Sequence, residues 1–191
     1  MSLYKKLTTS FVLLLLSLSS ASAWDGKRQG FVLGLGAGYG NIDYTDVQSV
    51  HLDSNSRSDK VGAITFMPKL GYAFTDSFSL LYFRHPFELK AKDPQGGTQT
   101  LVACVEQVGF NYYFGDKDPS FYIGAGTGKS YFFKGADNQS DTALHGGGSF
   151  YSIGYEFATH YSIELTSMQG TLDNNQGQFK GMGLTLNVLG Y

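Results

Sequence analysis

The chain has 191 residues, a formal charge of −2 and one cysteine, which excludes a polybasic nucleic-acid surface and an intrachain disulfide framework. Glycine at 25 residues, with 13 tyrosines and 15 phenylalanines, is unusual for a soluble domain of this size. Glycine and aromatics on alternating strands are what a small membrane barrel uses.

Residues 1–23 read as a secretory signal peptide that is removed. Lys5 and Lys6 form its charged start, Phe11 to Leu18 its apolar core, and Ala21-Ser22-Ala23 its small-residue cleavage site. The mature domain is then expected over 24–191, starting at Trp24, with a formal charge of about −4 once two lysines are removed. After residue 23 no run reaches the roughly 18 apolar residues of a spanning helix. Cys104 lies too far from the cleavage site for a lipid anchor.

Residues 30–42 set Phe31, Leu33, Leu35, Ala37 and Tyr39 against a face of glycines, Gly34, Gly36, Gly38 and Gly40 among them. In a narrow barrel such a bare face points inward, where it leaves room for large side chains opposite. After a polar stretch from Asp43 to Lys60, residues 61–74 place Ile64, Phe66, Pro68, Leu70, Tyr72 and Phe74 outward, with Thr65, Met67, Lys69 and Gly71 inward. A turn near Asp76-Ser77 leads to residues 78–90, where Leu81, Phe83, His85, Phe87 and Leu89 are expected outward and Leu80, Tyr82, Arg84, Glu88 and Lys90 inward. A two-residue turn then sets Lys69 opposite Arg84.

Residues 98–114 alternate cleanly at Val108, Phe110, Tyr112 and Phe114, but Glu106 and Gln107 disturb the period and suggest a β-bulge. Residues 120–133 place Phe121, Ile123, Ala125, Tyr131 and Phe133 outward against glycines. Residues 145–157 place Tyr151, Ile153, Tyr155 and Phe157 outward. Residues 161–169 set Tyr161, Ile163 and Leu165 against Ser162, Glu164 and Thr166. The last run alternates Met182, Leu184, Leu186 and Val188 with Gly183, Thr185 and Asn187. Gly71, Tyr72, Phe74 and Ser79 recur 83 positions later as Gly154, Tyr155, Phe157 and Ser162, so two hairpins look like copies.

These eight runs predict an all-β fold, an eight-stranded antiparallel up-and-down transmembrane β-barrel. Three short links near 75–77, 115–119 and 158–160 alternate with mostly longer polar links at 43–60, 91–97, 134–144 and 170–180. Short turns at one end and long loops at the other place both termini on the periplasmic side.

Outward aromatics beside the short turns (Tyr72, Phe74, Tyr112, Phe114, Phe121, Tyr155, Phe157 and Tyr161) predict an interfacial girdle. Inside, Lys69 and Arg84 on one hairpin and Glu156 and Glu164 on its copy predict a buried cluster of two bases and two acids plugging the lumen. Glu156 and Glu164 are expected opposite one another, with Phe157 opposite Ile163.

Other chemistry is weaker. Ile123-Gly-Ala-Gly-Thr-Gly-Lys-Ser130 resembles a phosphate-binding loop, but Ile123 stands where the pattern needs glycine and a strand follows where it needs a helix. The nearest hydrolase set is His160, Ser162 and Glu164, in and beside a short turn, with His145 near Ser149 as a second candidate. No His, Cys or Asp cluster has metal-ligand spacing, so no metal or other cofactor is expected. Basic residues of the longer links, His51, Arg57, Lys60, Lys92 and Lys134, could meet lipopolysaccharide phosphates.

The glycine-alternating first strand, the Gly-Tyr-x-Phe hairpins at 71–74 and 154–157, the acid and base cluster and the aromatic Tyr191 together resemble the small eight-stranded outer-membrane β-barrel family, of the OmpA transmembrane-domain type. The resemblance spans residues 28–191. It implies an integral protein of the cell outer membrane, monomeric, inserted by the barrel-assembly machinery and surrounded by membrane lipid and lipopolysaccharide. The last strand departs from the family pattern, since Leu184, Leu186 and Val188 are out of phase with Tyr191. The expected function is a non-enzymatic structural or surface-interaction role through extracellular loops, with a plugged lumen. The alternatives are a lipid A-modifying acyl hydrolase and a small-solute channel.

Overall fold

The computed structural model describes residues 27–45, 60–92, 97–135, 144–173 and 177–191. The expected signal peptide, and loop residues His51 and Arg57, lie outside them. Eight strands follow in order: β1 (Gly30–Thr45), β2 (Val61–Thr75), β3 (Phe78–Lys92), β4 (Thr98–Tyr113), β5 (Ser120–Lys134), β6 (Leu144–Ala158), β7 (Tyr161–Leu172) and β8 (Gly177–Gly190). Each pairs antiparallel with its neighbours, and β8 pairs with β1 to close the barrel. Closure satisfies every strand edge, which is the condition for a sheet to stand in lipid.

Paired residues traced once around the wall run from Phe31 through Tyr72, Leu80, Phe110, Ala125, Tyr151, Ser167 and Met182 to Asn41, ten positions along β1 from the start. That stagger over eight strands corresponds to a tilt of about 40° with ordinary strand spacings. The tube is narrow. Gly40 and Gly183 face each other across β1 and β8 because the Phe87 ring occupies the space above them. A Cβ on Gly183 would stand 2.8 Å from Phe87 Cζ.

Alternation puts the expected residues of β1, β2, β5, β6, β7 and β8 outside. Strand β3 is reversed. Leu81, Phe83, His85, Phe87 and Leu89 are buried in the lumen, whereas Leu80, Tyr82, Arg84, Glu88 and Lys90 face outward. The cause is one residue. The turn Asp76-Ser77 is as short as expected, but the register slips between Ala73 and Thr75, so Lys69 faces Phe83 and Leu70 faces Tyr82. A one-residue slip moves every side chain beyond it to the opposite face.

The copy hairpin slips at the equivalent place, between Glu156 and Ala158. Glu156 therefore faces Ser162, Glu164 faces Gly154, and Ile163 faces Tyr155 rather than Phe157. The bulge expected at Glu106-Gln107 is absent, since β3 and β4 pair without interruption from Phe78–Tyr112 to Lys92–Thr98. Glu106 points outward and Gln107 inward in regular alternation. The apparent disturbance marks where the outer wall turns from apolar to polar.

Strands β7 and β8 also run further than expected. Most of the loop expected at 170–180 is strand, leaving 173–176 between them.

Candidate functional site

Among the described residues, inward-facing side chains of all eight strands are buried in the lumen. At the end of the short turns, Arg28 reaches inward just before β1. Its Nη2 lies 2.6 Å from Glu156 Oε2, its Nη1 donates to the carbonyls of Gly115 (2.7 Å) and Asp76 (3.0 Å), and its guanidinium sits 4.4 Å above the Tyr113 ring. The Tyr113 hydroxyl meets that of Tyr191 at 2.8 Å. The terminal aromatic therefore points into the lumen, in keeping with its phase in β8.

Further in, Lys69 Nζ lies 3.1 Å from both carboxylate oxygens of Glu164, and the Tyr122 hydroxyl donates to Glu164 Oε2 at 2.8 Å. Tyr122 packs on Tyr113 with ring centroids 4.9 Å apart, which joins the two ion pairs into one network. Gly154 opposite makes room for the Tyr122 ring, because a Cβ there would overlap it. Buried charges are tolerable only when paired and hydrogen-bonded, and both pairs meet that condition.

Two apolar clusters pack the lumen between and above the pairs, with buried polar side chains such as Thr65, Gln107 and Ser130 beside them. One cluster gathers Val32, Met67, Leu81, Phe83, Phe150 and Leu189, and a second gathers Ile42, Phe87, Leu89, Leu101, Phe132 and Phe179. His85 is fully buried between them, its ring 4.7 Å from that of Phe87 and 6.0 Å from that of Phe150. Each buried aromatic removes enough apolar surface from water to contribute about 1.5–3 kcal/mol.

Three members of the sequence-derived charge cluster, Lys69, Glu156 and Glu164, are buried in the lumen. Arg84 is not. It faces outward from β3, with its Nε directed at Cys104 Sγ (3.4 Å), and the second base is Arg28. Arg28 escaped the sequence reading because it precedes the first alternating run. Its even position does continue the inward parity of Val32 and Gly34.

The hydrolase candidates take separate partners. His160 Nδ1 meets the Leu189 carbonyl at 2.7 Å, Ser162 Oγ meets the Tyr122 hydroxyl at 3.2 Å, and Glu164 is held by Lys69 and Tyr122. His145 packs edge-on to Tyr131, while Ser149 Oγ accepts from Gln169 Nε2. Neither set forms the relay that nucleophilic catalysis needs.

The short turns are tied to one another outside the lumen. Ser77 Oγ donates to Asp116, and Thr159 Oγ1 donates to Asp118. The Thr159 hydroxyl holds the Asp118 carboxyl below the usual carboxylate range.

The outer wall is banded. Beside the short turns, Tyr72, Phe74, Tyr112, Phe114, Phe121, Phe157 and Tyr161 are exposed, and Tyr155 is half-buried against Phe121. Phe31 and Phe78 extend this ring through contacts with Tyr72, Phe74 and Phe110. A band of exposed Leu, Ile, Val and Phe follows, among them Leu35, Phe66, Leu70, Ile123, Ile153, Leu165 and Leu186. From Phe31 to Tyr39 the apolar run on β1 rises about 21 Å along the barrel axis at that tilt. Above it the outward residues turn polar: Asn41, Asp43, Arg84, Glu88, Glu106, Lys129, Gln169 and Lys180.

No known family model matches the sequence, and no curated protein matches it. Among solved structures, neisserial surface protein A aligns with a TM-score of 0.54 at 11% identity over 83% of this chain and 96% of its own. The attachment invasion locus protein Ail of Yersinia pestis, solved with the heparin analogue sucrose octasulfate, aligns at 0.49 and 12% identity over 84% and 99%. The outer membrane protein OprG of Pseudomonas aeruginosa aligns at 0.46 and 13% over 87% and 97%. With its closed ring of eight antiparallel strands, the chain has the up-and-down fold of the small eight-stranded outer-membrane β-barrels.

Proposed function

We propose that this chain is an exported, integral outer-membrane protein whose sealed barrel is an anchor and whose extracellular loops carry its structural or surface-interaction role. The observation that supports it best is the inversion of the usual arrangement of charge. Lys69, Glu156 and Glu164 are buried and paired inside, while large apolar side chains stand exposed across the outer wall. In water so much exposed apolar surface would drive aggregation; in lipid it is the stabilising face.

The aromatic ring beside the short turns then lies at the periplasmic headgroup level, where amphipathic rings are favoured. Export through the 1–23 signal peptide and insertion by the barrel-assembly machinery as a monomer follow from the same reading. Fractionation of expressing cells, with gel electrophoresis in detergent before and after boiling, tests it. The protein is expected in the outer-membrane fraction, with a mobility that changes on boiling as the barrel unfolds. Recovery in the soluble fraction with no change in mobility would overturn the proposal.

A further inference from the structure

Just above the apolar band, β5 to β8 enclose a groove of about 440 Å³ on the outside of the wall. Its floor is open at Gly147, where a Cβ would meet nothing nearer than Thr171 Oγ1 at 3.9 Å, whereas a Cβ on Gly148 or Gly170 would run inward into Val105 or Phe179. Thr127, Ser149, Gln169 and Thr171 line it with hydroxyl and amide groups. Thr127 and Thr171 donate to the carbonyls of Gly148 and Gly147, so their oxygens are left to accept. Ser149 accepts from Gln169, so its own proton is left to donate.

Lysines stand at the two sides. Lys180 lines the groove opposite Gln169, and Lys129 lies opposite Gly147; both are exposed. Each also faces an acid on its far side, Asp43 beside Lys180 and Glu106 beside Lys129. Glu106 is shared with Arg84 opposite and with the Tyr82 hydroxyl, so it is not devoted to Lys129. Directly below the groove lie the exposed apolar side chains of Tyr151, Ile153, Leu165, Met182 and Leu184.

We propose that the groove seats the phosphorylated saccharide headgroup of an outer-leaflet glycolipid, with its acyl chains running down the apolar band. Sugar hydroxyls match the mixed donors and acceptors, phosphate matches the lysines, and only a ligand with acyl chains also uses the apolar surface below. This inference rests on the reading of the outer wall as lipid-facing. Charge-assisted hydrogen bonds are the strong ones, so the two lysines carry most of the discrimination.

The test uses the purified full-length barrel in detergent, titrated with bis-phosphorylated lipid A and with the same lipid dephosphorylated, read by binding and by the thermal unfolding midpoint. The phosphorylated lipid is expected to bind and raise the midpoint. The Lys129→Ala/Lys180→Ala variant is expected to bind it at least tenfold more weakly while keeping the heat-dependent gel shift. Equal binding of the dephosphorylated lipid, or undiminished binding by the double variant, would overturn the proposal. Equal binding of a phosphorylated disaccharide lacking acyl chains would overturn the lipid as the source. A barrel that keeps its gel shift and membrane fractionation yet fails here sinks the groove alone and leaves the anchor reading standing.

Discussion

Glu164→Ala is expected to cost the barrel about 3–5 kcal/mol, the range for breaking a buried ion pair from one side. Glu164 is about 1% exposed and Lys69 about 2%, so truncation leaves the ammonium in the lumen without its anion. The Tyr122 hydroxyl loses its acceptor in the same step. Urea unfolding of the detergent-solubilised barrel, followed by its gel shift, reads the loss as a lower midpoint. Replacing both partners, as Lys69→Met/Glu164→Leu, is expected to recover most of it, since an apolar pair of similar volume removes the stranded charge. If the double variant were as unstable as Glu164→Ala, packing rather than stranded charge would be the cause.

Arg28→Ala is expected to destabilise on a similar scale, and Arg84→Ala to change stability by less than about 1 kcal/mol. Arg28 is 5% exposed and holds Glu156, two carbonyls and the face of Tyr113. Arg84 stands on the outer wall beside Cys104 and Glu106. The same unfolding measurement on the two variants separates the observed register from the one a plain two-residue hairpin would give. A larger loss from Arg84→Ala would mean that β3 faces the other way.

That contrast shows where sequence stops specifying the structure. Period-two alternation says which residues share a face, and in β1 the glycines also say which face is inside. In β3 it does not, because Leu80 and Leu81, then Tyr82 and Phe83, are apolar on both faces. The lumen here is itself rich in aromatics, so hydrophobicity cannot separate lipid from core. Only the bulges at Phe74 and Phe157 decide, and period-two alternation does not register the extra residue that a bulge inserts.

The acids were legible, since Glu156 and Glu164 each sit in an unambiguous alternating run. Their bases were half legible. Lys69 lies in such a run, but Arg28 lies before one. Arg84, Glu88 and Lys90 lie on the face that a plain two-residue hairpin turns inward, and the slip between Ala73 and Thr75 turns that face outward. On β3 they lie beyond Leu80 and Tyr82, where the outer wall leaves its apolar band and charge is tolerated outside. The same transition explains why Glu106 and Gln107 looked like a break in β4.

Under the proposed function, two ion pairs and two apolar clusters close the lumen, so that the barrel anchors rather than conducts. Single-channel recording in planar bilayers tests it most directly. Purified wild-type barrel is expected to insert without producing current steps. Reproducible steps of one size, altered in the Lys69→Met/Glu164→Leu barrel, would show that ions pass through this lumen and would contradict the account.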